Sequence, residues 1–284
     1  MFRLDDAPRY RLARPPLNQA LVDVRFPVQA GLATMEGIAP VQQQLNTLFP
    51  YLKQQQVQQV SLVVGPGIPA AAGAQASPVW LFEDDSGWSL VLAPGSAVLS
   101  VGPQYSGFGE FSERLSAVLQ ALSDSAGVTR ADRLGVRYLN IVEIPPDDEG
   151  AWRRWFRPEL TGWSGTILDG PTRLITSLTQ TQLAAPPLGE LSGPPVDVQA
   201  LVRHGVIPAG TVVPGVVPVQ PQRSAYLIDI DVFVEAPQPF DPKELSRQVT
   251  SFHGQIDRFF YWAMTDEGTE YFGKEVDDAV GNSL

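Results

Sequence analysis

The sequence predicts an α+β protein: a bent antiparallel or mixed sheet in two pseudo-repeated βββα-like halves, with helices on one face. Three observations carry this. Several segments alternate apolar and polar residues with the period of two that a half-buried strand requires. Long amphipathic segments with helix-capping residues stand beside them. The order strands-then-helix occurs twice along the 284 residues. One compact unit is expected over 1–284, with a soft internal boundary at about 146–170 between a first half, 1–145, and a second, 171–284.

In chain order, "LVDVRFP" (21–27) places Val22, Val24 and Phe26 on one face and Leu21, Asp23 and Arg25 on the other. The stretch 34–49 reads as a helix capped by Thr34 and stopped by Pro50, and Pro40 predicts a short turn ahead of the helix proper. Residues 79–102 read as three short strands with turns at Asp84–Gly87 and Pro94–Ser96. A helix over 109–127 lines up Phe111, Leu115, Val118, Leu119 and Leu122 and ends at Gly127.

The strand 133–144 sets Leu134, Val136, Tyr138, Val142 and Ile144 against Arg133, Arg137 and Glu143. "AWRRWFRPEL" (151–160) reads as a helix with Trp152, Trp155 and Phe156 on one side and Arg153, Arg154 and Arg157 on another. The Thr- and Gln-rich stretch 173–185 reads as a sheet edge, and "YLIDIDVFVE" (226–235) as a strand with Asp229, Asp231 and Glu235 on its polar face. A last helix over 241–264 has Asp241 as N-cap, Pro242 in its first turn, and Leu245, Val249, Phe252, Ile256, Phe259 and Phe260 facing inward. Residues 65–78 read as a loop. Residues 185–222 are too rich in Pro and Gly for regular structure apart from a strand near Val198–Val202, and a loop of that length is either functional or disordered.

Composition bounds the function. Hydrophobic content of 44% and charge of 18% suit a globular core. No run reaches the roughly 18 apolar residues of a membrane helix, and the N-terminal stretch lacks the apolar region of a signal peptide. A cytoplasmic location and no membrane association are therefore expected. The absence of cysteine removes disulfides and thiol chemistry. A net charge of −11 argues against nucleic acid, whose binding neutralises phosphates with Lys and Arg. The basic residues Arg3, Arg9, Arg11 and Arg14 and the acidic run Asp266, Glu267, Glu270, Glu275, Asp277 and Asp278 read as solvated ends.

No cofactor or metal is expected. His204 and His253 lack partners at ligand spacing, "GWSGT" is not a nucleophile elbow, and "FGKEV" is not a phosphate loop. "VSLVVGPGIPA" imitates a dinucleotide fingerprint, but Pro66 and Pro69 intrude and no crossover helix follows. The Trp/Arg helix suits either single-stranded nucleic acid or a buried docking face; the acidic balance favours the face.

If the three polar-faced strands share a sheet, Asp23, Arg25, Arg133, Arg137, Asp229 and Asp231 form one charged field. Arginine matches carboxylate bidentately, so one reading is a cross-strand ion-pair ladder. A second is a groove for a partner's loop or a small anion. A third is a paired-carboxylate site at Asp229 and Asp231, whose α-carbons on one strand face lie about 6.5–7 Å apart. Asn140 falls by parity on the apolar face and reads as a structural polar anchor, since a buried amide must find partners.

"RPPLNQALVDVRF" (14–26), "RLGVRYLNIVEIP" (133–145) and "LIDIDVFVEAPQPFDPKELSRQVTSFHGQIDRFF" (227–260) together resemble a sporadically distributed bacterial family of unassigned function. Its members carry a Pro-Pro-x-x-Glu-Ala strand, an Arg-x-Gly-Leu-Arg-Tyr-x-Asn segment and a closing Asp strand followed by a His-bearing helix. Arg137, Tyr138, Asn140, Asp229 and His253 match that pattern, while Gln19 stands in place of Glu and Val136 in place of Leu. The resemblance implies carriage on mobile elements, in prophage, toxin–antitoxin or defence settings. The loss of the Glu favours a structural or binding role at position 19 over an enzymatic one. The reading that results is a non-enzymatic cytoplasmic accessory factor, of immunity, antitoxin or phage-defence type, that binds a protein partner through the charged sheet face. The alternative is an enzyme or small-anion or nucleotide binder centred on Arg133, Arg137, Asp229 and Asp231.

Overall fold

The computed structural model describes residues 10–58, 76–165, 172, 174–186 and 196–276. The loop expected at 65–78 falls mostly outside them, as do Arg3, Arg9, Asp277 and Asp278. The strands are β1 (Tyr10–Leu12), β2 (Leu17–Arg25), β3 (Tyr51–Gln58), β4 (Ala76–Glu83), β5 (Trp88–Ala93), β6 (Ser96–Val101), β7 (Arg130–Ala131), β8 (Arg133–Glu143), β9 (Ser177–Ala185), β10 (Val198–Ile207), β11 (Ala225–Val234), β12 (Gln238–Pro239) and β13 (Lys274–Val276). The helices are α1 (Met35–Leu45), α2 (Phe108–Asp124), α3 (Trp152–Trp155), α4 (Pro158–Thr161), α5 (Pro242–Ala263) and α6 (Asp266–Tyr271). The fold is mixed α+β with antiparallel pairing.

Two compact units are assembled from separated pieces of chain. The first takes Met1–Leu21, Gly135–Val234 and Gln248–Leu284; the second takes Val22–Leu134 and Glu235–Arg247. The divisions fall inside β2, β8 and α5, which therefore run through both.

In the second unit β3, β4, β5 and β6 form an antiparallel meander with β2 beside β6. Its strands follow from alternation: β5 buries Trp88, Leu90 and Leu92 and leaves the residues between them half-buried. On α2 the expected stripe of Phe111, Leu115, Val118, Leu119 and Leu122 is buried. Thr34 caps α1 by accepting from the Gly37 N–H at 3.2 Å. Pro40 lies inside α1 and does not precede it. The carbonyl it leaves without a donor is that of Glu36, an exposed residue in the first turn, so water can serve it. Arg114 of α2 ties this unit together: it pairs with Asp84 at 2.9 Å and Glu110 at 3.2 Å, donates to the Leu48 carbonyl, and lies 4.6 Å from the Trp88 ring.

In the first unit the order is β2-β8-β11-β10-β9. Registry places Arg203 of β10 opposite both Asp229 of β11 and Gln180 of β9, and His204 opposite Ile228 and Thr179. The expected helix over 151–160 is two single turns, because Pro158 holds Arg157 in an extended conformation between α3 and α4. Its aromatic side is buried. Trp152 and Phe156 stack on the Tyr226 ring at 5.7 and 4.3 Å, and Trp155 stacks on Tyr271 at 4.1 Å.

Candidate functional site

Asp229 is the centre of the charged face in the first unit. Strand parity puts it on the face of β11 opposite Ile228 and Ile230, and its side chain is only 2% exposed. Arg137 of β8 grips it in a fork, Nε to Oδ1 at 2.7 Å and a terminal nitrogen to Oδ2 at 2.9 Å. Arg203 of β10 donates to Oδ2 at 3.1 Å and, through Nε, to Gln180 Oε1 of β9 at 2.8 Å. Burial works against the Arg137 charge, but its hydrogen bonds to Asp229 and the charges of Asp229 and Asp231 outweigh burial and raise its pKa. Asp231 is half-buried two residues along the same face. The sequence does not single out Arg203, because the strand expected there ends at Val202, one residue short of it; Gln180 lies in the expected edge strand 173–185, whose neighbour the alternation does not name.

The second unit holds the other three candidates. Arg133 donates to Asp23 Oδ2 at 2.6 Å, and the more exposed Arg25 reaches the same oxygen at 3.2 Å. Asn140, on the opposite face of β8 from Arg137, donates to the Ile228 carbonyl at 3.2 Å.

Towards its far end the charged face of β8 and β11 becomes apolar. Leu139, Ile141, Ile207, Ala225 and Leu227 form a buried cluster with Val213, and Val219 packs on it. Those two valines come from the stretch expected to lack regular structure. Within 185–222, β10 extends from Val198 to Ile207, and 208–222 folds back as a pinned loop; 187–195 lie outside the described residues. Val213 and Val219 exchange backbone hydrogen bonds, and Gly210 N–H bonds the Pro221 carbonyl. Gln19 Oε1 accepts from Val216 N–H at 3.0 Å, and Glu143 Oε1 from Gln222 N–H at 2.7 Å. One end of this face is thus core, not solvated surface.

Both histidines join polar chains with a tyrosine, His204 buried and His253 half-buried. His253 of α5 lies between the Tyr138 hydroxyl, 3.0 Å from Nδ1, and Asp257 Oδ2, 3.1 Å from Nε2. Burial pushes the imidazole down to about 4 and the Asp257 carboxyl up to about 7. Solvent at the 37% of Asp257 that is exposed moderates that rise. A neutral ring protonated on Nε2 satisfies the whole chain, accepting from Tyr138 and donating to Asp257. His204 Nδ1 lies 3.4 Å from the Tyr226 hydroxyl, and burial lowers its pKa and raises that of Tyr226. Among the described residues no three His, Cys, Asp or Glu side chains group as metal ligands, and no helix is long and apolar enough to cross a membrane.

No protein-family model matches the chain, and no curated protein matches its sequence. Chemistry must be read from the site itself. Both oxygens of Asp229 already accept from guanidinium groups, so an incoming anion would compete with Asp229 for Arg137, and a metal would compete with both arginines. The arrangement is built to hold its own strands and to fix Arg203 beside the sheet edge.

Proposed function

We propose that the chain is a non-enzymatic, cytoplasmic accessory factor that binds a protein partner, and that it takes an extended segment of that partner along β9. The observation that carries this reading is the state of β9. Among the described residues it pairs only with β10, most of its nine residues are exposed, and its sequence SLTQTQLAA has no charge and no proline. Such an edge offers a row of backbone donors and acceptors without the lysines or prolines that usually discourage strand addition. Beside it stands Arg203, 33% exposed and held in place by Asp229 and Gln180, which favours a partner segment with an acidic or amide side chain at that level. The charged face thus buttresses the binding edge. The resemblance to a sporadically distributed bacterial family supports an immunity, antitoxin or phage-defence setting. The enzymatic alternative at Arg133, Arg137, Asp229 and Asp231 has less support, since the carboxylate it needs is already occupied.

The test is capture of a partner from host lysate, followed by hydrogen exchange on the purified complex. Slowed exchange confined to β9 amides is expected, together with loss of binding by about tenfold or more in a Gln180→Lys/Gln182→Lys variant that melts like the wild type. Full binding by that variant, or an empty eluate from folded wild type, would overturn the proposal.

A further inference from the structure

Strand β9, Ser177–Ala185, is complementary to itself. Two identical strands can pair antiparallel about a two-fold axis, and the residue at the axis decides which side chains face one another. Thr181 is the midpoint of β9, so an axis there is the one that pairs all nine residues. In that register Gln180 of one copy faces Gln182 of the other, and symmetry repeats the contact.

The two glutamines are already oriented for it. Arg203 Nε donates to Gln180 Oε1 at 2.8 Å, and a guanidinium can only donate, so Gln180 turns its amide N–H groups elsewhere. Gln182 donates Nε2 to Gln199 Oε1 at 2.9 Å, which leaves its own Oε1 to accept. Donor therefore meets acceptor at both symmetry-related contacts. An axis at Gln180 or at Gln182 would set like against like and leave one end of the strand unpaired. The remaining pairs agree with the Thr181 axis. Leu178, 54% exposed on the face of the glutamines, falls opposite Ala184, and Thr181 falls opposite itself, a pairing that hydroxyls favour in sheets. Charge does not oppose it. No residue of β9 is charged, so no like charges are brought face to face. Arg203 stands one strand inboard, so its two copies are separated by three strand spacings, about 14 Å, against a screening length of about 8 Å.

We propose that two copies of this chain pair β9 to β9 about a two-fold axis at Thr181, and that this dimer covers the edge until a partner takes it. The proposal rests on the open edge of the partner-binding reading above and adds its regulation: partner and second copy compete for one strand. Arg203, which favours an acidic or amide side chain at its level, is served by Gln182 of the second copy. A single strand is a small contact beside the roughly 1,200–2,000 Å² of stable interfaces, so the dimer is weak and a partner can displace it.

The experiment uses the full chain alone. Sedimentation velocity should show a reversible monomer–dimer equilibrium with a Kd on the order of 100 µM. The chain has no cysteine, so Thr181→Cys introduces one that can meet only its own copy. In the stated register the two α-carbons at 181 lie about 4.5–5.5 Å apart, within the roughly 4.4–6.8 Å that a disulfide spans. Thr179→Cys is the control, since position 179 faces Leu183 and its two copies are about 13 Å apart along the strand. Mild oxidation should link Thr181→Cys into dimers at least about tenfold faster than Thr179→Cys. Gln180→Lys/Gln182→Lys, melting like the wild type, should be monomeric, and mixing it with Gln180→Glu/Gln182→Glu should restore a dimer. A monomer at every concentration, equal cross-linking at the two positions, or undiminished association of the lysine variant would overturn the self-pairing. Partner capture is read separately, on the complex, so it can stand or fall without this result.

Discussion

Arg137 and Arg203 bond the same carboxylate but differ in burial, and that difference sets their worth. Arg137 is 17% exposed and bidentate, and its removal leaves Asp229 facing a single, more exposed guanidinium. Arg137→Leu should therefore cost about 3–5 kcal/mol in denaturant unfolding, as for a broken buried pair. Arg203→Leu should cost about 1 kcal/mol, as for a more solvated one. Equal costs would mean the fork adds nothing. The His253–Asp257 pair makes a prediction of sign. Between about pH 4 and 6.5 the folded pair holds one proton, on Asp257, and the unfolded pair also holds one, on His253, so the pair contributes no slope. Asp257→Asn leaves only the depressed histidine; the unfolded chain then binds the extra proton and stability rises with pH over that window. His253→Gln leaves only the raised carboxyl; the folded chain binds the extra proton and stability falls as pH rises towards about 7. Unfolding titrations at several pH values read both slopes directly, and parallel profiles for the two variants would refute the opposite shifts that burial imposes on the two groups. The sequence showed Arg137 and Asp229, because charge on an alternating strand declares its face. It did not join them, because pairing depends on which strands are neighbours, and parity is silent on that.

At the scale of elements the alternating segments and the capped helices were legible, and the Pro-rich segment 208–222 that folds onto the sheet was not. Leu139 and Ile141 share the face of Arg137. Their presence breaks the polar pattern, a sign that something covers that end of β8. What covers it is 208–222, whose prolines and glycines carry no periodicity to read. The loop is held by single side chains, above all Gln19, buried on β2. The role of Gln19 is that of an acceptor for Val216 N–H, and a glutamate carboxylate can also accept. A structural acceptor at position 19 is thus met by the Gln present here, and a Glu would serve there as well. Gln19→Leu should leave that amide unbonded and cost about 1–3 kcal/mol. It should also speed exchange of the Val216 amide, which mass-spectrometric exchange can follow. A loss spread evenly over the chain, with no change at Val216, would count against the loop being pinned there.

For the whole molecule the decisive fact is that sequence order and spatial order disagree. A soft boundary near 146–170 is expected from the strands-then-helix order that occurs twice along the sequence. Yet β8, ending at Glu143, has β11 of residues 225–234 as its neighbour, and β1 at Tyr10–Leu12 pairs with β13 at Lys274–Val276. A fragment 1–145 therefore carries Arg137 without Asp229, Tyr138 without His253, and Leu139 and Ile141 without Leu227 and Val213. Losing partners for a buried cation and two buried aliphatics at once removes more than a marginally stable fold holds in reserve, about 5–15 kcal/mol. The fragment alone should show no cooperative thermal transition by circular dichroism. Co-expressed with 146–284 it should regain one, because the cut falls between strands and leaves each strand whole. A cooperative melt from 1–145 alone would show that the first part of the chain closes its own core, and that strands after residue 170 are additions to a fold already complete.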